Sequence, residues 1–302
     1  MTPLSLSARV AVPPSEADQY PRPMFMLMTP LCLRAGALLL VLLLNGCTLV
    51  VAGAVYLSLD PTAKFTPLPA DNRVRYEPGA EALAERTARE LPAAIAAVEL
   101  ELGRPFPMPV EVYVCKSEMS FMAYTNSSEN TRGAVIRQLF LSARLDRPEY
   151  RDTLGTVLTH ELSHLHLLQS LGYYSYNGKV PAWFHEGLAE SVSGVTGGIA
   201  VSEADAAKAI IAGNHLVPDE SGSIFVIKQE SSYGLETAQF YRQSGMFVDH
   251  LRKLDGAAFK DFMRDVENGE GFSRPFQRRF GMNIGTAWQA FTETLRIKYP
   301  SI

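Results

Sequence analysis

The chain has 302 residues, of which 47% are hydrophobic, with 28 Lys+Arg against 32 Asp+Glu and a formal charge of -4 at pH 7. That length supports one large domain or two modest ones with a proper core, and a mildly acidic chain without a Lys/Arg-rich block lacks the basic face that nucleic acid requires, so nucleic acid is excluded as a partner. Of the three cysteines, Cys32 and Cys47 belong to the N-terminal apolar region and leave Cys115 alone, so the globular part is expected to hold no disulfide and to build any metal site from His and carboxylates.

Residues 1 to 34 read as a Pro-containing cytoplasmic tail to which no fold is assigned, with Met24, Met26 and Met28 as alternative starts. Residues 35 to 59, AGALLLVLLLNGCTLVVAGAVYLSL, carry no charge in 25 positions, where about 20 suffice to span a bilayer. Two readings stand side by side. Leu44-Asn45-Gly46-Cys47 resembles a lipobox, which would make Cys47 the acylated first residue of a lipoprotein; alternatively the segment stays as an uncleaved signal anchor. Arg22 and Arg34 precede it and Asp60 follows, so either reading tethers the chain to a membrane and places residues 60 to 302 on the periplasmic or exterior face. Residues 60 to 78, with Pro61 and Pro78 near their ends, read as a tether.

Beyond the tether, residues 79 to 103 show Ala, Leu, Glu and Arg at helical spacing and end at Gly103-Arg104-Pro105. Val110 to Val114 alternates as a strand, 125 to 133 is polar turn material, and Ala134 to Ser142 reads as a further strand. A helix follows from about Pro148 to Leu171, closed by Gly172. A Tyr- and Gly-rich loop leads to Pro181, which opens a second helix, PAWFHEGLAESVSG, stopped by Gly194. Residues 203 to 213 and 234 to 302 are mainly helical. Strands come first and helices later, which predicts an α+β fold with segregated elements over residues 79 to 302.

The chemistry concentrates in HELSH, residues 160 to 164. Positions four apart share a helix face, so His160 and His164 can point two imidazoles at one ion, while Glu161 sits one residue round, where a general base for a metal-activated water belongs. The competing reading is the polar seam of an ordinary helix. Against it, Leu154, Val157, Leu158, Leu162, Leu165 and Leu168 surround the phrase, and burying imidazoles among them without partners is costly. A catalytic zinc site usually takes three protein ligands, and Glu186 stands 22 residues after His164 at the front of the second helix, in Trp183-Phe184-His185-Glu186-Gly187-Leu188-Ala189-Glu190.

HELSH followed by WFHEGLAE resembles the gluzincin metallopeptidases, the clan of thermolysin and the aminopeptidase N-like enzymes. The resemblance implies a zincin-like fold, a small mixed sheet followed by a mainly helical part, with HELSH on the active-site helix. It implies one Zn²⁺ per chain held by His160, His164 and Glu186, with Glu161 as general base and Glu190 orienting His160. Tyr241, in Tyr241-Arg242-Gln243-Ser244-Gly245, stands where aminopeptidase N-like enzymes carry an oxyanion-binding Tyr in Y-x-K-G-x-x-[VL], although Gln243 and Ser244 replace the Lys and Gly. Tyr173, Tyr174, Tyr176 and Tyr233 are weaker stand-ins. His166 and His185 are rotated away from the ligand face and read as packing or surface groups; His215 and His250 have no ligand-like neighbours. The family's amine-binding Glu has no counterpart in Thr131-Arg132-Gly133-Ala134-Val135-Ile136, so an endopeptidase acting on a peptide or protein is expected over an aminopeptidase, with an edge strand pairing to the substrate. The alternatives are a non-catalytic binding or assembly module on the same scaffold, and a metal-dependent hydrolase of cell-wall peptide amides.

Overall fold

The computed structural model describes residues 62–194, 200–226, 228 and 230–300. The chain divides after Asp60, and the unit that starts at Pro61 is the one described. The apolar stretch at 35 to 59, Cys47 and the tail before them lie outside the described residues. Among the described residues no helix is long and apolar enough to cross a membrane. The expected membrane-anchored, extracytoplasmic location is therefore corrected: it rested on the uncharged stretch at 35 to 59, its flanking charges and the lipobox-like phrase, and no described helix supplies the span it needs.

Five short strands form one mixed sheet in the order β1-β2-β3-β5-β4: β1 (Thr66–Leu68), β2 (Asp71–Tyr76), β3 (Val112–Val114), β4 (Gly133–Val135) and β5 (Leu139–Leu141). β2 and β5 run parallel to the central β3, while β1 and β4 pair antiparallel at the two margins. Val112, Tyr113 and Val114 are all buried, as expected for a strand covered on both faces. Within the sheet, two features depart from the sequence reading. The segment expected as a tether contributes β1 and β2. The single strand expected over 134 to 142 is a hairpin, because the chain reverses at Ile136, whose N–H reaches the Gln138 carbonyl at 3.2 Å. That reversal makes β4 an edge strand.

Parallel pairs need crossovers, and helices supply them. α1 (Glu81–Leu102) joins β2 to β3 and buries Leu83, Leu91, Ala94, Val98 and Leu102 on one stripe, stopping at Gly103, whose φ of 72° favours glycine. α2 (Glu118–Thr125) joins β3 to β4 and starts at Ser117, whose hydroxyl accepts the Ser120 N–H. The long α3 (Leu154–Lys179) packs on α1 and carries HELSH. Gly172, at φ 71° and ψ 160°, breaks it, and the chain then resumes a helical path to Lys179 where a loop was expected. α4 (Ala182–Ser193), α5 (Glu203–Ile211), α6 (Thr237–Leu254), α7 (Gly256–Glu267), α8 (Ser273–Phe280) and α9 (Ile284–Lys298) complete the helical part. A small mixed sheet followed by a mostly helical remainder is thus the observed α+β architecture.

The α4–α6 crossing sets the site's geometry. A Cβ on Gly187 would lie 2.5 Å from the Ser244 carbonyl oxygen, and one on Gly245 would lie 3.0 Å from the Glu190 Cβ, so the two backbones meet because both positions lack a side chain. Trp183 and Phe247 hold the crossing with rings 5.2 Å apart, and Phe272 closes on Trp183 at 5.8 Å. Gly187→Ala is expected to cost about 1–3 kcal/mol of stability through this overpacking, read as a fall in the denaturant midpoint; unchanged stability would mean that the helices are free to separate.

Candidate metal centre

α3 presents His160 and His164 one turn apart, and α4 brings Glu186 against them. His160 Nε2 and His164 Nε2 are 3.2 Å apart, and Glu186 Oε2 lies 3.5 Å from the first and 3.3 Å from the second. These three atoms form a group that can hold a metal ion. A tetrahedral ion with bonds of about 2.0–2.1 Å spaces its ligand atoms about 3.3 Å apart, so the triangle already has the edge such an ion requires. Glu186 Oε2 is buried without a well-formed hydrogen bond, an arrangement that is costly unless a cation meets it.

The outer atoms of the histidines are engaged. His160 Nδ1 lies 3.3 Å from Glu190 Oε1, whose carboxylate is almost wholly buried. His164 Nδ1 lies 3.0 Å from the Tyr176 hydroxyl. With the proton on Nδ1, each ring donates outward and turns an Nε2 lone pair into the triangle, as metal-ligating histidines do. Tyr176 is the contact that the sequence reading missed. It sits twelve residues after His164, beyond the break at Gly172, where no helical spacing rule connects the two.

Electrostatics follow from crowding charges in a buried place. Burial disfavours protonation of His160, but Glu186, Glu190 and the charge of Glu161 outweigh it and raise its pKa to about 10. Burial would also raise the Glu186 carboxyl, yet the His164 charge and the adjoining His160 and His185 hold it well below its ordinary value. Glu161 moves upward, since burial dominates over the attraction of His160 and His164. Its side chain lies on the backbone of β4, where a Cβ on Gly133 would come within 2.7 Å of its Cγ. The Tyr241 phenol is held well above its ordinary pKa, first by the Glu186 charge and then by burial, so it remains a donor. Its ring centroid lies 6.1 Å from that of His160.

His166 points away as expected, with Nε2 3.2 Å from the Arg104 carbonyl and Nδ1 3.7 Å from Glu267 Oε1. His185, expected as a packing or surface group, abuts the site: it stacks on Tyr176 at 4.7 Å and lies 3.7 Å from Glu186 Oε1. His215 contacts the Leu216 carbonyl and His250 lies against Phe291, both away from the triangle. Of the other tyrosines considered, Tyr173 and Tyr174 are exposed and Tyr233 bonds Asp219. A cavity of about 620 Å³ opens over the triangle, lined by the α3 and α4 residues together with Arg132, the β4 strand, Tyr176, Glu230 and Tyr241. Neither models of known protein families nor curated proteins match the chain.

The full chain is expected to bind about one divalent ion, tested with zinc, and His164→Ala to abolish that binding. A proton on His160 competes with the ion below about pH 10, so apparent affinity should rise between pH 6 and 9, by up to about tenfold per unit for each proton released; a flat profile would contradict this. Tyr176→Phe, which removes only the hydroxyl beside His164 Nδ1, is expected to weaken zinc about 10- to 100-fold in a competitive chelator titration.

Proposed function

We propose that the protein is a zinc-dependent peptidase of gluzincin type that hydrolyses internal peptide bonds, with His160, His164 and Glu186 as the zinc ligands and Glu161 as the general base. The observation that carries this reading is the three-atom triangle with edges of 3.2 to 3.5 Å, with Glu161 beside it on the floor of the same cavity. Two nitrogens and one carboxylate oxygen, with no thiolate, match the donor set of a catalytic zinc site with one open position. A zincin-like fold is supported by the order of elements, a small sheet whose edge strand borders the HELSH helix, then the Glu186 helix, then the Tyr241 helix.

When bound, the ion supplies a Lewis acid for the scissile carbonyl and lowers the pKa of a water toward neutrality. The rest belongs to the chain. The Glu161 carboxylate, raised above its ordinary pKa by burial, is suited to take the water's proton and pass it to the leaving amine. The Tyr241 hydroxyl, kept protonated by the surrounding negative charge, donates a hydrogen bond to the oxyanion. Glu190 holds the His160 ring in place. β4 offers main-chain groups along its outer edge, where an extended peptide adds as a further strand. β4 itself, Gly133-Ala134-Val135, carries no carboxylate to receive a terminal amine, which favours internal cleavage. A purely structural site has no need of a base beside the metal, so Glu161 argues for catalysis over a binding module.

Glu161→Gln is expected to keep zinc at the wild-type stoichiometry while lowering kcat on a fluorogenic peptide library by about 10²–10⁴; hydrolysis that survives this change would remove Glu161 from the reaction. Tyr241→Phe is expected to lower kcat by about 10² with little change in KM, because its bond forms in the transition state.

A further inference from the structure

Glu230 lies in the short 3-10 turn Glu230–Tyr233 that leads into α6. It is a half-buried carboxylate on the cavity wall, and neither the triangle nor its supporting hydrogen bonds use it. The turn is pinned from both sides. The Tyr233 hydroxyl donates to Asp219 Oδ2 at 2.7 Å and the Lys228 ammonium donates to Asp219 Oδ1 at 2.6 Å. Asp219 is itself tied to α4, because the Trp183 indole N–H donates to its carbonyl at 3.0 Å. Lys228 is the cation nearest to Glu230 in sequence, and it is committed to Asp219 and to the face of the Tyr233 ring, 5.2 Å away. Among the described residues, no Lys, Arg or His forms an ion pair with Glu230.

Glu230 and Tyr241 line the same cavity. The Glu230 charge is among those that raise the Tyr241 phenol, after Glu186 and burial. Of the other carboxylates in the cavity wall, Glu186 faces the histidine pair and Glu161 lies against the β4 backbone. A carboxylate held on a pinned turn and facing the same space as a reacting peptide is costly to desolvate unless the incoming molecule brings a positive charge.

We infer that Glu230 forms a cation-selecting subsite of the cavity, receiving an ammonium or guanidinium group of the substrate peptide close to the bond presented to the triangle. This deepens the peptidase reading and rests on it. Asp219 is the positioning residue, since it fixes the turn through Lys228 and Tyr233 without reaching the cavity centre. The subsite discriminates because a cation entering it gains a charge-assisted hydrogen bond, whereas a neutral side chain leaves the carboxylate desolvated and unpaired.

The test uses the full-length chain loaded with zinc and a set of fluorogenic peptides on one backbone, carrying Lys, norleucine or Glu in turn at each position flanking the scissile bond. N-acetylated and free-amine forms separate a side-chain ammonium from an α-amine. Wild-type protein is expected to show kcat/KM about tenfold higher for a cationic peptide than for its neutral partner at one position. Glu230→Gln should bring that ratio to about one, and Glu230→Lys should favour the Glu peptide. The same series is read as equilibrium binding by fluorescence anisotropy on zinc-loaded Glu161→Gln protein, where the charge preference and its loss on adding Glu230→Gln should recur. Equal cleavage of charged and neutral peptides by wild type, or a preference that persists in Glu230→Gln, would overturn the subsite and leave the peptidase reading standing. Zinc-loaded protein that cleaves no peptide would overturn the peptidase reading instead. The anisotropy series then decides the subsite alone: binding that depends on charge and on Glu230 keeps it, and binding that depends on neither, or no binding, removes it.

Discussion

Everything in this fold that bears on chemistry depends on bringing an imidazole pair from one helix and a carboxylate from the next to within 3.5 Å of one another in a buried place. Such a cluster is unfavourable by itself, since burial penalises both the imidazolium and the carboxylate. The surrounding structure is arranged to bear that cost. Glu190 and Tyr176 occupy the outer nitrogens of His160 and His164, so the inner lone pairs have one direction left to face. Glycines at 187 and 245 let α4 lie on α6 at backbone contact, which brings the carboxylate helix and the Tyr241 helix to the same cavity. Gly133 does the same between Glu161 and β4. The three glycines serve as spacers that set distances a side chain would widen.

The electrostatics separate two carboxylates that sequence alone would treat as alike. Glu186 sits against three imidazoles and is held ionised, whereas Glu161, equally buried but less well compensated, is pushed toward protonation. One is thereby suited to hold a cation and the other to exchange a proton, a division of labour that arises from position relative to the same histidine pair. The aromatic packing of Trp183 with Phe184, Phe247 and Phe272 gives α4 a rigid base, so that small errors in Glu186 placement are resisted by a core that does not deform continuously.

Much of this was legible in residues 160 to 190, because helical periodicity is a local rule: four-residue spacing puts His160 and His164 on one face, and the same rule puts Glu190 one turn beyond Glu186. What stayed hidden depends on tertiary approach. Tyr176 reaches His164 only because Gly172 takes a positive φ and the chain resumes a helical path, so no periodicity links them. The β4–β5 hairpin was read as one strand because Ala134 to Ser142 is apolar at both ends, and the reversal at Ile136 carries no Gly or Pro to mark it. β1 and β2 lie among prolines and arginines that resemble a linker, and they become strands only by pairing with each other and, through β2, with β3. Glu230 belongs to a polar loop with no motif, and its place in the cavity follows from the Asp219 ties.

The most direct test of the metal centre is anomalous diffraction at the zinc absorption edge from crystals of the full chain grown with zinc. A single strong peak about 2.0–2.2 Å from His160 Nε2, His164 Nε2 and a Glu186 oxygen is the expected result. A peak elsewhere, or none at the triangle with His160 and Glu186 directly ion-paired, would refute it.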